Sequence, residues 1–314
     1  RIAREDERVV AITAAMPDGT GLKHYAKEHP DRYFDVGITE QHAMAFAGGL
    51  AYAGAKPVVA VYSTFIQRCY DQIFQEVCLQ NSDVVLAMDR GGVVGQDGPT
   101  HHGLYDIAFL RTLPRITHMS PKDAREFEAM IRFAVDHKGP VALRYPRAAA
   151  IASELPMAPV EHGRGELVVD GEDILIIAYG PMVLDCMEAI KILAKQRVYA
   201  ALINARFAKP VDEELIRRML YNKRVVITVE EHALAGGFGS AVVDFLSDIG
   251  YQGKVMRVGV PDHFVEHGSR KELFDLLGLN PAALAERILD CIHEKSETHT
   301  YRRGWAPARD QEVF

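Results

Sequence analysis

The sequence predicts an α/β protein of two domains, each a mostly parallel sheet flanked by helices. Three observations carry this. Short apolar runs such as Val9–Thr13, Pro57–Tyr62 and Ile174–Ala178 alternate with stretches of helical periodicity. The runs are apolar on both faces, as strands covered by helices on both sides must be. The chain is also long enough, at 314 residues, to build about two hydrophobic cores. Periodicity lapses between 148 and 165, where Pro156, Pro159 and Gly163 stand. The reading is therefore a first domain over 1–147, a linker over 148–165, a second domain over 166–296 and a polar tail over 297–314.

In the first domain, Val9–Thr13 is a buried strand, followed by a turn over Met16–Gly21 and a short helix ended by His29 and Pro30. Tyr33 to Leu50 then reads as a short strand, with Val36 and Ile38 alternating, a tight turn, and a helix opening at Glu40. Thr39 stands at the N-cap position. Ala43, Ala45, Ala47, Gly48 and Gly49 give this helix a face small enough for another backbone or a flat ligand. Pro57–Tyr62 is the next strand. Ile66 to Gln80 reads as one helix with apolar positions at Ile66, Cys69, Tyr70, Ile73, Phe74 and Val77. Asp83–Asp89 and Ile116–Met119 are strands, Pro121–His137 is a helix with proline at its first position, and Val141–Tyr145 closes the sheet.

The second domain repeats the alternation. Strands are expected over Ile174–Ala178, Tyr199–Asn204, Arg224–Val229 and Val255–Val260, with helices over Pro181–Gln196, Pro210–Leu220 and Gly237–Ile249. Two closing helices follow at Lys271–Leu277 and Pro281–Glu294. The chain begins Arg1-Ile-Ala-Arg without methionine, and Ile2 and Ala3 read as the tail of an amphipathic helix, so the start is expected to be a cut through a longer protein.

Composition narrows the function classes. A net charge of -7 argues against nucleic acid or an anionic membrane surface as partner. No apolar run approaches the roughly 20 residues of a membrane span, and no signal peptide is visible. Cys69, Cys78, Cys186 and Cys291 are scattered without metal-like spacing and read as reduced, buried thiols.

Ligands of parallel sheets sit beyond the carboxyl ends of the strands, and chemistry-bearing residues collect there. Glu40 follows one strand; Tyr62, Phe65 and Arg68 follow the next. The loop Asp89–Gly103 follows the third, and Arg147 the last. On spacing alone Glu40 is only a first-turn glutamate favoured by the helix dipole. The loop holds five glycines with Arg90, Asp97, His101 and His102, and its glycines let the backbone approach a ligand closely. It contains neither a Walker phosphate loop nor GxGxxG, and no Cys/His cluster supports a metal. Pro146 forces an extended backbone that aims Arg147 outward; a strand-end arginine is more often a salt-bridge partner, but paired in space with Arg90 it becomes a phosphate clamp. In the second domain the glycine-rich stretch Glu230–Ser240 reads as a tight strand-to-helix turn in preference to an anion site, and Asp262, His263, Glu266 and His267 read as loop residues.

Taken together and in order, Phe34–Ala43, Tyr62–Arg68, Asp89–His101 and Arg144–Arg147 resemble the 1-deoxy-D-xylulose 5-phosphate synthase family, thiamin-diphosphate enzymes of transketolase type. The resemblance covers nearly the whole chain, as a pyrimidine-binding domain and a transketolase C-terminal domain. It implies decarboxylation of pyruvate and transfer of the two-carbon unit to glyceraldehyde 3-phosphate, the first step of non-mevalonate isoprenoid precursor synthesis, which also feeds thiamin and pyridoxal synthesis. It implies that Glu40 holds the pyrimidine N1′ and that Phe65 stacks on the ring. Arg90 and Arg147 are implied to hold the substrate phosphate. Tyr62, Arg68, Asp97 and His101 match active-site positions, with His101 suited to proton transfer.

A homodimer is implied as well, in the bacterial cytoplasm or the plastid stroma. The family's Gly-Asp-Gly motif for diphosphate and Mg2+ is missing, so this chain is expected to hold half a cofactor site and to be inactive alone. Two rival readings are a β subunit of a 2-oxoacid dehydrogenase, which shares the layout and the glutamate, and a catalytically silent dimerisation module.

Overall fold

The computed structural model describes residues 1–149 and 151–293, so the expected polar tail and the last residue of the closing helix lie outside the described residues. In chain order the first unit runs α1 (Ile2–Glu5), β1 (Val9–Thr13), α2 (Leu22–Glu28), β2 (Tyr33–Asp35), α3 (Glu40–Tyr52), β3 (Lys56–Tyr62), α4 (Ser63–Ile66), α5 (Tyr70–Gln72), β4 (Val85–Asp89), α6 (Asp106–Leu110), β5 (Thr117–Met119), α7 (Ala124–Asp136) and β6 (Val141–Arg144). The second runs β7 (Glu166–Val169), β8 (Ile174–Ala178), α8 (Met182–Lys195), β9 (Ala200–Asn204), β10 (Phe207–Lys209), α9 (Glu213–Met219), β11 (Val225–Ala233), α10 (Phe238–Asp248), β12 (Lys254–Val260), α11 (Arg270–Leu277) and α12 (Pro281–His293).

Two sheets result, ordered β10-β5-β6-β4-β3-β1-β2 and β12-β11-β8-β9-β7. All pairings are parallel except β10 on β5 and β7 on β9. The expected α/β class with mostly parallel sheets therefore holds. β1, β8 and β9 are buried at every position, and each Val, Ile or Leu so enclosed contributes roughly 1.5–3 kcal/mol.

Several local expectations are corrected. β2 stops at Asp35, and Ile38 lies beyond it, 73% exposed. Ile66–Gln80 is not one regular helix but α4, a tight turn over 67–69, α5 and a wide π-type turn over 73–78. Ile66, Cys69, Ile73 and Val77 are buried as expected, whereas the irregular winding leaves Tyr70 and Phe74 exposed. α7 starts at Ala124, because the Asp123 carboxylate accepts the Glu126 amide and fixes the N-cap there, leaving Pro121 outside. The strands β7 and β10 and the helix α6 were not anticipated. β10 belongs by sequence to the second unit yet pairs with the first sheet, Phe207 opposite Met119.

The units are joined by buried ionic groups as well as by this strand. Arg144, at the end of β6, donates from Nε to Asp106 at 2.8 Å and from Nη2 to the carbonyls of Gly103 and Glu231, each at 2.8 Å. Arg206 donates to Glu126 at 2.7 Å, and Lys122 reaches Glu166 at 2.9 Å. Burying such ions is tolerated only because every partner is supplied. Burial opposes the Asp106 carboxylate, yet Arg144 and the histidines beside it hold its pKa below the usual range.

His232 is fully buried in this network. Its Nε2 accepts the Ile107 amide at 3.2 Å and its Nδ1 donates to the Ala233 carbonyl at 2.8 Å, so the neutral ring is required. Burial pushes its pKa down to about 4, and that of His118 to about 3. Below the unfolded value near 6.5 the unfolded chain takes up protons that the folded chain refuses. Stability should therefore fall as pH drops from about 6.5 towards 4, by up to about 1.4 kcal/mol per pH unit for each histidine. Urea unfolding at pH 7, 6 and 5 should show a shallower decline in His232→Gln than in the parent; parallel declines would contradict this account.

Candidate active site

Because β6, β4, β3, β1 and β2 are parallel neighbours, their carboxyl ends line one edge. At the β2 end, the Asp35 carboxylate accepts the amides of Ala15 at 2.8 Å and Gly37 at 3.0 Å, and Gly37 turns with φ +72°. The chain then enters α3. Thr39 occupies the N-cap position, but its hydroxyl donates to the Val36 carbonyl at 2.8 Å, so it braces the turn and does not cap the helix. Glu40, in the first helical turn, is 2% exposed.

Among the described residues its hydrogen-bond partner is Arg68, whose Nη1 lies 2.9 Å from Oε2. Arg68 sits in the tight turn over 67–69, so the break in the helix is what carries this side chain to Glu40. Of the small residues expected to form one face of α3, Ala43, Ala47 and Gly48 are buried, and a Cβ on Gly48 would lie 3.1 Å from Glu76 Cβ and 3.2 Å from its carbonyl, whereas Ala45 and Gly49 are exposed.

An aromatic shelf stands on the same strand-end edge, at the end of β3. The rings of Tyr62 and Phe65 stack with centroids 5.5 Å apart, and His101 meets Phe65 edge-on at 5.3 Å. Arg90 lies 3.5 Å above the Tyr62 ring and donates to Gly19 O at 3.3 Å and Asp89 Oδ1 at 3.1 Å. Its backbone is left-handed, φ +62°, a conformation costing roughly 1–3 kcal/mol that concentrates at functional sites. Arg90 Nε and Ser63 Oγ are buried with no hydrogen-bond partner among the described residues.

Arg147 is exposed and forms a close ion pair with Asp97. The expected clamp is thus two separately engaged arginines. Both act on Asp89, whose pKa is raised by burial against their pull. Asp97, for which sequence supplied no role, is the counter-ion of Arg147. Of the paired histidines, His102 is the structural one: its Nδ1 accepts the Val94 amide at 2.9 Å, and burial lowers its pKa. His101 is partly exposed and hydrogen-bonded to Thr100 Oγ1 at 2.9 Å.

Sequence reading placed Ser63 on this edge but gave no role to Asp89 or Gly19. The signal for Gly19 was its place in the turn after β1, on the same edge. A Cβ there would fall 1.8 Å from the Tyr62 hydroxyl. The strand β11 runs on to Ala233, past its expected end at Val229, so only residues 234–237 turn into α10. Glu230 itself accepts the amides of Phe238 at 2.6 Å and Gly239 at 2.8 Å, filling the start of α10. Among the described residues no group of three His, Cys, Asp or Glu side chains converges as metal ligands, and no helix is long and apolar enough to cross a membrane.

This arrangement suits a flat, hydrogen-bonding heteroaromatic ring. Glu40 offers a buried carboxylate, Phe65 a partly exposed face, and the edge retains buried donors unpartnered among the described residues.

Comparison with known proteins identifies the two domains. Residues 1–151 match the transketolase pyrimidine-binding domain and residues 163–284 the transketolase C-terminal domain. The chain is 54% identical over 290 residues to 1-deoxy-D-xylulose-5-phosphate synthase 1 of Geobacter sulfurreducens, covering 91% of this chain and 45% of that protein. It is 50% identical over 303 residues to the synthase of Heliobacterium modesticaldum, covering 94% and 46%. It thus spans about half the length of these relatives. Among solved structures, a split-gene transketolase described as an inactive β4 tetramer superposes with TM-score 0.81 at 29% identity, covering 92% of this chain and 93% of that one. Transketolase from Campylobacter jejuni superposes at 0.76 with 19% identity, over 92% of this chain and 44% of that one, a likeness of fold.

Substitutions at two glycines test the packing of the shelf. Gly19→Ala should displace Tyr62 from under Arg90 and cost about 1–3 kcal/mol. Gly49→Ala, in α3 with open space around it, should stabilise by up to about 1 kcal/mol. Urea midpoints shifting in opposite directions are expected; equal shifts would contradict the described packing.

Proposed function

Since the chain belongs to the transketolase family, with the pyrimidine-binding domain followed by the C-terminal domain, we propose that it supplies the pyrimidine half of a thiamin diphosphate site in a 1-deoxy-D-xylulose-5-phosphate synthase. The observation that carries this reading is Glu40, a carboxylate 2% exposed at the entrance of α3, on the same strand-end edge as the Tyr62–Phe65–His101 shelf. The synthase names of relatives at half identity favour this enzyme over a 2-oxoacid dehydrogenase β subunit. Intact Glu40, Phe65, Arg90 and Arg147 favour catalysis over a silent dimerisation module.

Bound thiamin diphosphate supplies the chemistry that decarboxylates pyruvate and carries the remaining two-carbon unit to glyceraldehyde 3-phosphate. The residues of this chain bind, orient and move protons. Glu40 would hydrogen-bond the pyrimidine N1′, with Arg68 fixing the carboxylate, and Phe65, itself stacked on Tyr62, would take the ring on its face. His101, whose other contacts leave it partly exposed, exchanges a proton with the acceptor oxygen. Arg90 and Arg147 hold the acceptor phosphate, and Asp97 keeps Arg147 in place until the phosphate arrives.

The diphosphate and Mg2+ belong to a domain outside this sequence, and the chain is inactive without it. That agrees with the inactive β4 assembly reported for the split-gene transketolase of matching extent. The domain limits are 1–147 and 166–296 with a linker at 148–165, and the working assembly is a homodimer. The reaction opens the non-mevalonate isoprenoid route in the cytoplasm of a bacterial cell, and its product also feeds thiamin and pyridoxal synthesis.

The test is product formation from pyruvate and glyceraldehyde 3-phosphate after adding the diphosphate-binding domain. Glu40→Gln should lower kcat at least 100-fold. Arg147→Ala should raise the KM for the phosphorylated aldehyde about 10- to 100-fold, the loss of a charge-assisted contact, with the pyruvate KM little changed. Full activity in Glu40→Gln, or turnover by this chain alone, would contradict the proposal.

A further inference from the structure

The catalytic loop is held from the wrong side for a loop that serves the first sheet. Gly92, Gly95 and Gly98 recur at every third position, all with positive φ, of +96°, +96° and +73°. Each rests on the second unit. A Cβ on Gly92 would lie 2.3 Å from Glu231 Oε1, one on Gly95 3.1 Å from the Gly268 carbonyl, and one on Gly98 3.2 Å from His267 Cβ. The glycines that sequence reading assigned to close approach of a ligand instead permit close approach of the second domain.

Hydrogen bonds follow the same line. Glu231, 1% exposed at the end of β11, accepts the Val93 amide at 2.6 Å. Arg270, opening α11, forks onto Glu231, with Nη2 at 2.7 Å from Oε2 and Nη1 close to Oε1, and donates to the Val93 carbonyl at 2.9 Å. The Gly268 amide reaches the Gly95 carbonyl at 3.3 Å, and His102 Nε2 reaches the Glu266 carbonyl at 3.3 Å. Val93 and Leu104, flanking the loop, are counted in the apolar core of the second unit beside Val229, Val260 and Leu273. What remains on the other side is the chemistry: Asp97 on Arg147, and His101 on Phe65.

We infer that Glu231 and Arg270 are positioning residues of the second domain, which set the active-site loop so that Asp97 and His101 face the aldehyde acceptor. The main-chain N–H and C=O of Val93 are both engaged by this one ion pair, so the pair fixes the loop's entry. Glu231→Ala removes the acceptor of the Val93 amide and the carboxylate gripped by Arg270, leaving Arg270 the Val93 carbonyl. Gln retains the acceptor for Val93 but loses the charge that Arg270 grips, and a Lys at 270 cannot fork. The role in turnover rests on the synthase reading above; the role in holding the loop does not.

Amide hydrogen exchange read by mass spectrometry on the 314-residue chain tests the holding. In Glu231→Ala and Arg270→Ala, peptides covering 91–104 should exchange at least tenfold faster, while Val9–Thr13 and Ile174–Ala178 stay at parent rates. Glu231→Gln and Arg270→Lys should fall between. Parent-like exchange over 91–104 in the Ala variants would overturn the inference. If the Ala variants fail to fold, the Gln and Lys variants decide by the same peptides.

With the diphosphate-binding domain added, Glu231→Gln should raise the KM for glyceraldehyde 3-phosphate about tenfold and move the pyruvate KM less than twofold. Loop loosening with an unchanged aldehyde KM would overturn the positioning role. If the parent complex makes no product, the synthase reading fails, and the exchange result still decides whether the second domain holds the loop.

Discussion

One guanidinium ties the molecule together. Arg144 ends β6 and is buried, with Asp106 on Nε and the carbonyls of Gly103 and Glu231 on Nη2. The last strand of the first sheet, the far end of the active-site loop, the start of α6 and the end of β11 therefore meet at one side chain. Gly91 must be glycine for the same reason, since a Cβ there would lie 2.6 Å from Arg144 Cγ. A buried ion is costly unless fully paired, so this site admits one arrangement of the four segments. The shape of the edge above it follows.

From that constraint the division of labour between the domains can be argued. The first sheet supplies the groups proposed to meet a heteroaromatic ring, Glu40, Phe65 and Tyr62, all at or just beyond the ends of its strands. The second domain carries few groups that reach the edge, but it sets the loop that does. Its core accepts Val93 and Leu104, its Glu231–Arg270 pair holds the Val93 peptide, and its strand β10 completes the first sheet. The two units share apolar and ionic contacts too extensively for the second to be a passive appendage.

Much of this was legible in the sequence, and the reasons for the rest are physical. Buried parallel strands announce themselves because both faces are apolar, so β1, β3, β8, β9 and β11 fall where the runs stand. The short antiparallel edges β7 and β10 were not legible, since three or four residues carry no period and their pairing is fixed by partners far away in sequence. The break at Gln67–Cys69 was hidden because Ile66, Cys69, Ile73 and Val77 keep a helical spacing while the backbone departs from it. At the site, residue types were legible but pairings were not. Arg147 and Asp97 are fifty positions apart in the chain, and the glycines of the loop look the same in sequence whether they face a ligand or a second domain.

Glu40 anchors the proposed pyrimidine half of a thiamin diphosphate site. Calorimetric titration of thiamin diphosphate with Mg2+ tests it most directly. The account predicts no measurable binding to this chain alone, binding once the diphosphate-binding domain is present, and at least a hundredfold weaker binding when Glu40 is replaced by Ala in that complex. Tight, stoichiometric binding to this chain alone, or binding in the complex indifferent to Glu40, would contradict it.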